Sequence, residues 1–220
     1  TQEIALTVGK CGITFLRMEP DNDTSFVNKP FINQFDISFN VKKYSFNNNA
    51  LEIPFNTVSW WVGVGVEIIG NSHVLKALPR YNYEYYSNSD YLELKSEKVS
   101  IVSPFKQNLP GYKVRRDFIN KADLNFLDIY GQGYRPLFNK EDCLQTYRYH
   151  LAIENKQLPG YFTEKITDCY LMDTYPVYWG APNITEYFPD ESLIIVDQDL
   201  APKHLQEFIC DNRARLKVEA

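Results

Sequence analysis

The chain has 220 residues, 44% hydrophobic and 23% charged, which suits one large domain or two small ones with a buried core. Its formal net charge of −5 argues against a general nucleic-acid binder. No apolar run reaches the length of a membrane span, and no secretory signal opens the sequence. The sequence begins almost immediately with a strand-like run, EIALTV. We therefore expect a piece of a longer protein whose targeting segment is missing.

The first part of the chain, up to a division near Lys95–Lys98, predicts short strands without a regular alternation of strands and helices. One strand, GITFLR, is followed by Met18, Glu19 and Pro20. The tyrosine-rich segment 81–91 suits sugar binding, because aromatic rings stack on sugar faces, and it suits a loop over apolar surface at least as well. Trp60 and Trp61 are better explained as core or interface anchors than as an acceptor platform.

The second part alternates regularly between short apolar strands and helices. Strands are predicted at 99–103, 125–130, 150–154, 176–179 and 193–196, and helical segments at 112–122, 140–147, 162–173, 183–188 and 201–215. This rhythm predicts a parallel sheet covered on both faces. Ligands of such sheets bind outside the carboxyl ends of the strands. The residues expected to converge there are Ser103, Gly131, Glu154, Asn155 and Gly180.

The helix predicted at 162–173 opens with Thr163, Glu164 and Lys165. A helix N-terminus favours anions, so a lysine in its first turn opposes the helix dipole. A phosphate between Lys165 and the helix end would explain this lysine, and so would an ordinary surface position.

Other motifs indicate little chemistry of their own. Cys11, Cys143, Cys169 and Cys210 form no C-x-x-C pair, which argues against a zinc site, and Cys169 falls on the apolar side of its helix. The D-x-D triplet at 197–199 could hold a metal, but it lies far in sequence from the helix that would bind phosphate. We therefore expect no metal ligands.

Four segments together resemble the α1,3/1,4-fucosyltransferases, glycosyltransferase family ten. The most specific is E-N-x(6)-Y-x-T-E-K at 154–165, followed by an apolar helix and P-V-Y-W-G. The others are LDIYGQGYRPL at 127–137, the Glu-Pro pair after GITFLR, and NQFDISFN at 33–40. The sequence departs from the family at Lys156, where the family often has serine, and at Gln132, where it has arginine.

The resemblance implies an α/β fold of the GT-B type, with two Rossmann-like domains facing a cleft and the N-terminal one incomplete. It implies a partial acceptor-side domain at 1–96 and a donor-binding domain at 97–220. The implied reaction is an inverting transfer of L-fucose from GDP-fucose, without a required cofactor, to a hydroxyl of an N-acetylglucosamine-containing oligosaccharide.

The resemblance also implies roles for individual residues. Glu19 matches the general base, and Arg115 matches a phosphate-contacting arginine that opens the helix after the VS strand, although Arg116 is adjacent and the alignment could slip by one. The remaining donor-site positions are Asn155, Tyr161, Glu164 and Lys165. Of these, Lys165 would pair with the pyrophosphate and Glu164 with fucose or ribose hydroxyls.

Two other functions remain open: a transferase that uses another nucleotide sugar, and a glycan- or nucleotide-binding protein of the same fold without catalysis. Expected partners are GDP-fucose and an oligosaccharide acceptor, but no nucleic acid, with peripheral membrane association through regions absent here. We expect a location in the cytoplasm or peripheral to the inner membrane if the protein is bacterial, and on the lumenal side of the Golgi membrane if it is eukaryotic.

Overall fold

The computed structural model describes most of the second half of the chain and short pieces of the first. The described residues are 14–16, 34–40, 50–52, 62, 66–69, 72–75, 84–85, 95–103, 110–121, 124–131, 133–196 and 205–213. None of the helices in these ranges is long and apolar enough to cross a membrane.

The second half forms one five-stranded sheet in which all neighbouring strands pair in parallel. Its strands are β6 (Ser96–Val102), β7 (Leu127–Tyr130), β8 (Tyr147–Ile153), β9 (Tyr175–Trp179) and β10 (Ile194–Ile195). The spatial order is β10-β9-β8-β6-β7. The strands β7, β8 and β9 are buried along most or all of their length, whereas β6 is buried only at Val99, Ser100 and Ile101. The predicted parallel α/β sheet is confirmed.

Helices and turns cover both faces of this sheet. The helices are α1 (Pro110–Lys121), α2 (Glu164–Leu171) and α3 (Leu205–Arg213), with 3-10 turns at Lys140–Cys143, Ile184–Glu186 and Asp190–Ser192. Val114 and Phe118 of α1 and Ile209 of α3 pack on one face of the sheet, whereas Ile166 and Cys169 of α2 pack on the other. Two apolar layers therefore enclose the strands, as their apolar sequences predict.

The helix predicted at 140–147 is wrong in its second half. A 3-10 turn ends at Cys143, and Tyr147 already begins β8. The cause is pairing with β6, because the amide of Ser96 donates to the carbonyl of Thr146 at 2.8 Å and Ser96 pairs with Tyr147. Sheet hydrogen bonds at this point replace the helical continuation that the local sequence allowed.

The first half contains strands whose arrangement in sheets the sequence did not predict. The described strands β1 (Thr14–Leu16), β2 (Ile37–Asn40) and β3 (Ala50–Glu52) form a parallel sheet in that order. The strands β4 (Val66–Ile69) and β5 (Ser72–Leu75) form an antiparallel hairpin. The sequence predicted short strands in this part without a regular pattern, whereas three of them pair in one parallel sheet. The division into domains 1–96 and 97–220 stays a prediction.

Lys95 is a buried residue at the amino edge of the large sheet. Its ammonium group donates to Thr174 Oγ1 at 3.0 Å, to the carbonyls of Leu144 and Tyr147 at 3.3 Å each, and to the carbonyl of Met172. Burial lowers the pKa of Lys95 to about 8. The lysine thus ties together the ends of three elements on the side of the sheet opposite the predicted site.

Candidate functional site

The predicted convergence of strand ends is confirmed. The amide of Ser103 donates to the carbonyl of Tyr130 at 2.7 Å, and a Cβ added to Gly131 would lie 2.5 Å from the Ser103 carbonyl oxygen. The amide of Glu154 donates to the carbonyl of Trp179 at 2.8 Å, immediately before Gly180. The carboxyl ends of β6, β7, β8 and β9 therefore form one continuous edge, the carboxyl edge of the sheet.

The first turn of α1 lies directly against this edge. The amide of Gly111 donates to the carbonyl of Asn155 at 3.0 Å, and a Cβ at Gly111 would lie 2.8 Å from Asn155 Cα. Only a glycine allows the helix to approach the strand end so closely. The consequence is that side chains of α1 reach the end of β8.

Arg115 is the side chain of α1 that does so. Its guanidinium group donates to the carbonyl of Ile153 through Nε at 3.1 Å and Nη2 at 2.5 Å, and through Nη2 to Asn155 Oδ1 at 3.0 Å. The resemblance implied that Arg115 opens the helix. The helix instead begins at Pro110, so Arg115 lies in its second turn. Arg115 is buried whereas Arg116 is exposed, which favours Arg115 as the matching residue.

Arg115 is surrounded by other predicted site residues. Burial lowers the pKa of its guanidinium, and the charges of Glu154 and Glu164 and the hydroxyl of Tyr161 act in the opposite direction. The guanidinium also lies 5.1 Å from the ring centre of Tyr112. The structure thus brings Arg115, Asn155, Tyr161 and Glu164 to the same part of the carboxyl edge.

Glu154 is a site residue to which the sequence assigned no role. Its carboxylate is fully buried and accepts hydrogen bonds from the amide of Thr163 at 2.7 Å and from Thr163 Oγ1 at 2.8 Å. Thr163 is the residue before α2, so a buried negative charge lies at the positive end of the helix. A glutamate closing an apolar strand before a helix N-terminus was the signal that could have identified it.

Lys165 points toward this carboxylate and not away from the sheet. Its Nζ lies 2.7 Å from Thr163 Oγ1, 3.2 Å from Glu154 Oε2 and 3.3 Å from Glu164 Oε1. The side chain is 17% exposed. The two carboxylates explain why a lysine is stable in the first turn of a helix even without a phosphate, an explanation that the sequence did not suggest.

Glu164 lies between two lysines. Burial opposes its ionisation, yet the ammonium groups of Lys165 and Lys140 hold the pKa of the Glu164 carboxyl below its ordinary value. Lys140, from the 3-10 turn after β7, also lies 3.9 Å from Asp168 Oδ2 of α2. Lys140 and Asp168 are further charged groups beside the site that the sequence did not single out.

Tyr161 and the loop before α2 pack under the site. Tyr161 is buried, and its amide donates to the carbonyl of Leu158 at 3.1 Å. Gly160 has a positive φ of 70°, and its amide donates to Asn183 Oδ1 at 2.8 Å. This turn directs the chain from the end of β8 back toward the start of α2.

Four groups of residues that the sequence analysis considered for a role lie outside the described residues. They are Glu19, the pair Trp60 and Trp61, the D-x-D triplet at 197–199, and nearly all of the tyrosine-rich segment 81–91. Their roles stay predictions. Within the described ranges, no group of three or more histidine, cysteine or acidic side chains is placed to hold a metal ion.

Several curated proteins that are fucosyltransferases by name are similar to this chain. Alpha-(1,3)-fucosyltransferase B of Drosophila melanogaster is 25% identical over 207 residues, which cover 88% of this chain and 44% of that protein. Alpha-(1,3)-fucosyltransferase FucT of Helicobacter pylori is 43% identical over 58 residues, covering 26% of this chain and 12% of that protein. GDP-fucose protein O-fucosyltransferase 3 of Danio rerio is 39% identical over 67 residues, covering 30% and 15%. The chain thus spans less than half the length of these relatives.

Solved structures show the same fold. The crystal structure of an alpha1,3-fucosyltransferase superimposes with a TM-score of 0.55 at 22% identity, covering 92% of this chain and 64% of that one. The structure of an alpha1,3-fucosyltransferase with GDP-fucose gives the same TM-score at 20% identity, with the same coverage. The prediction of an α/β fold of the GT-B type is confirmed.

The family model that describes the C-terminal part of glycosyltransferase family 10 (fucosyltransferase) matches residues 95–213, which is more than half of the chain. This match contains the whole carboxyl edge, from Ser103 and Arg115 to Gly180. The chain therefore belongs to glycosyltransferase family 10.

Proposed function

We propose that this protein binds GDP-fucose at the carboxyl edge of its large sheet and transfers L-fucose to an acceptor hydroxyl. The observation that carries the proposal is the meeting of Arg115 and Lys165 at the end of β8, in a chain of family 10. Two buried or half-buried cations beside a helix N-terminus are suited to a pyrophosphate. The relatives named for GDP-fucose or for fucose transfer support the same donor.

Each site residue has a task in this reaction. Negative charge develops on the GDP leaving group as the bond to the anomeric carbon breaks, and fixed cations stabilise that charge. Lys165 would contact the pyrophosphate directly, and Arg115 would hold the end of β8 while facing the same phosphates. Asn155, Tyr161 and Glu164 would complete the donor site, with Glu164 accepting hydrogen bonds from fucose or ribose hydroxyls. Since protein cations serve the leaving group, the mechanism requires no metal.

The acceptor half of the reaction rests on the first part of the chain. We propose inversion by a single displacement, with Glu19 as the base that takes the acceptor proton. The acceptor is an N-acetylglucosamine-containing glycan, which accords with the acceptor in the name of a relative from Pan troglodytes, 3-galactosyl-N-acetylglucosaminide 4-alpha-L-fucosyltransferase, 29% identical over 178 residues. That relative and the alpha-(1,3) enzymes leave both linkages as candidates.

A protein acceptor is a second candidate. The GDP-fucose protein O-fucosyltransferases 3 of Danio rerio and two Xenopus species each match 67 residues at 39% identity. Assays with N-acetyllactosamine and with folded glycoprotein domains, run on the same preparation, separate the two acceptor classes.

The donor is tested by calorimetric titration of the protein with GDP, UDP, ADP and GDP-fucose. We expect GDP and GDP-fucose to bind at least tenfold more tightly than UDP or ADP, because a base-specific contact is worth on the order of 1–2 kcal/mol. Preference for UDP or ADP would favour a transferase with another nucleotide sugar. GDP selectivity without turnover on any acceptor would favour a binding protein of the same fold.

A further inference from the structure

At the end of β8, the two described cations of the proposed donor site are matched by two carboxylates before any ligand binds. The cations Arg115 and Lys165 are accompanied by the carboxylates of Glu154 and Glu164, which act electrostatically on Arg115 and lie 3.2 and 3.3 Å from Lys165 Nζ. Lys140 nearby is itself accompanied by Asp168 at 3.9 Å. A site intended only for maximal affinity toward a pyrophosphate would not contain these carboxylates.

The two carboxylates that contact Lys165 differ in freedom. Glu164 has a side chain that is 22% exposed, so it can turn away from Lys165 toward solvent or toward a sugar hydroxyl. Glu154 is fully buried and is held by both the amide and the hydroxyl of Thr163. A carboxylate with two short hydrogen bonds at a helix N-terminus cannot leave when the ligand arrives.

The surroundings fix Glu154 further. A Cβ at Gly180 would lie 2.6 Å from Glu154 Cγ, so the backbone of the neighbouring strand end is packed directly against the side chain. The residue after Glu154 is held as well, because the carbonyl of Asn155 accepts a hydrogen bond from the amide of Gly111 in the first turn of α1. The negative charge of Glu154 therefore stays beside Lys165 in both the free and the bound protein.

We propose that Glu154 is a fixed counter-charge that weakens the hold of Lys165 and Arg115 on the pyrophosphate of GDP and so promotes product release. This inference rests on the proposed donor site. Glu154 acts through Lys165 and Arg115 and is a positioning residue. Its hydrogen bonds to Thr163 keep the ammonium of Lys165 at the helix end, while its charge limits the affinity for an anion placed there.

The test is the affinity of Glu154→Gln for guanosine, GMP and GDP, measured by calorimetry. A glutamine retains an oxygen for the Thr163 amide and removes the charge. We expect GDP to bind roughly tenfold more tightly than to the wild-type protein, since one charge acts at short range in a partly buried site. The gain should be smaller for GMP and absent for guanosine. A fluorescent GDP analogue should dissociate more slowly from the variant, because affinity differences appear mainly in dissociation rates.

Glu97→Gln is the matched control. Glu97 pairs with Arg148 at 2.9 Å at the amino end of β6, on the opposite edge of the sheet. The substitution Glu97→Gln also removes one negative charge, but far from the proposed phosphate site. It should leave the affinities for guanosine, GMP and GDP unchanged. An equal gain for GDP in Glu97→Gln would mean that total charge and not Glu154 sets the affinity, and would overturn the inference.

A second pair of variants decides the question if Glu154→Gln does not fold. In Lys165→Gln the carboxylate of Glu154 remains without its ammonium, whereas Glu154→Gln/Lys165→Gln removes both charges of the buried pair. The double variant should bind GDP more tightly than the single one. Equal or weaker binding of GDP in the folded variants that lack Glu154 overturns the inference. Failure of the wild-type protein to bind GDP would instead overturn the proposed function, and this inference with it.

Discussion

Gly180 lies directly against Glu154, with no room for a side chain between them. A Cβ at Gly180 would be 2.6 Å from Glu154 Cγ and would also overlap the hydroxyl of Tyr178, which accepts a hydrogen bond from the amide of Ala181 at 2.9 Å. The end of β9 and the buried carboxylate of β8 thus depend on each other for their positions.

Gly180→Ala should therefore destabilise the protein. Two packed side chains, Tyr178 and Glu154, would have to move, and overpacking of this kind costs about 1–3 kcal/mol. The free energy of unfolding from urea titration measures the loss. Gly133→Ala is a useful comparison, since no atom lies within 4 Å of a Cβ there and only its positive φ of 84° opposes the substitution. Equal stability of Gly180→Ala and wild type would show that the strand end adapts.

Lys165→Ala should weaken GDP binding by about 1.5–3 kcal/mol, the range of a charge-assisted hydrogen bond. Guanosine, which has no phosphates, should bind with little change. The measurement is calorimetric titration with both ligands. Equal losses for GDP and guanosine would mean that Lys165 acts on folding or on the base.

Arg115→Ala should lower both GDP affinity and stability. The same loss of about 1.5–3 kcal/mol in GDP binding is expected from the missing cation. In addition, the carbonyl of Ile153 loses the Nε and Nη2 donors, which bond it at 3.1 and 2.5 Å. Thermal unfolding of Arg115→Ala and Arg116→Ala separates the two effects, because the exposed Arg116 should be nearly neutral in both assays.

Glu19→Gln should lower turnover by about two to four orders of magnitude while GDP affinity stays nearly unchanged, because a general base acts on the acceptor and not on the pyrophosphate. A proline follows Glu19, which favours an extended backbone at the glutamate. Turnover and GDP affinity are to be measured on one preparation. Near-wild-type turnover would exclude Glu19 as the base and direct attention to other carboxylates.

His150 should make the fold sensitive to acid. Burial, followed by the charges of Lys140 and Arg115, holds the pKa of His150 well below 6.5, and its Nδ1 is bonded to Ser100 Oγ at 2.8 Å. As the pH falls below 6.5, His150 becomes protonated in the unfolded chain but stays neutral in the folded protein. The free energy of unfolding therefore decreases progressively below this pH, and His150 causes no such loss above it. The slope approaches about 1.4 kcal/mol per pH unit for one such group.

Urea titrations between neutral and mildly acidic pH measure this slope, and His150→Gln should reduce it whatever its effect on absolute stability. An unchanged slope in His150→Gln would assign the acid sensitivity to other groups.

Cys210 should react with iodoacetamide in the folded protein, whereas Cys143 and Cys169 should not. Cys210 is exposed, while burial raises the pKa of Cys143 to about 11 and that of Cys169 well above its ordinary value. Because the thiolate is the reactive form, buried thiols of high pKa are inert. Peptide mass spectrometry after a short labelling pulse, with and without denaturant, checks the order. Labelling of Cys169 under native conditions would indicate local opening of α2.

The sequence by itself determined the class of the fold and the place of the site. Five apolar runs separated by helical segments specify a parallel sheet, because each strand is too apolar to face water on either side. Since parallel strands end at a common edge, the positions of Asn155 and Lys165 followed from their places after the strand and at the start of a helix. The resemblance to family 10 rested on the same local motifs.

Only the tertiary structure decided how the charges of the site are arranged. Glu154 reads as an ordinary strand-end residue until the fold buries it under Gly180 and places it against Thr163 and Lys165. Arg115 acquires its contacts with Ile153 because α1 can approach the strand end at Gly111. Such contacts join residues 9 to 44 positions apart in sequence, so local propensity cannot specify them. Charge at this edge depends on packing between elements, and packing is decided only when the whole sheet has formed.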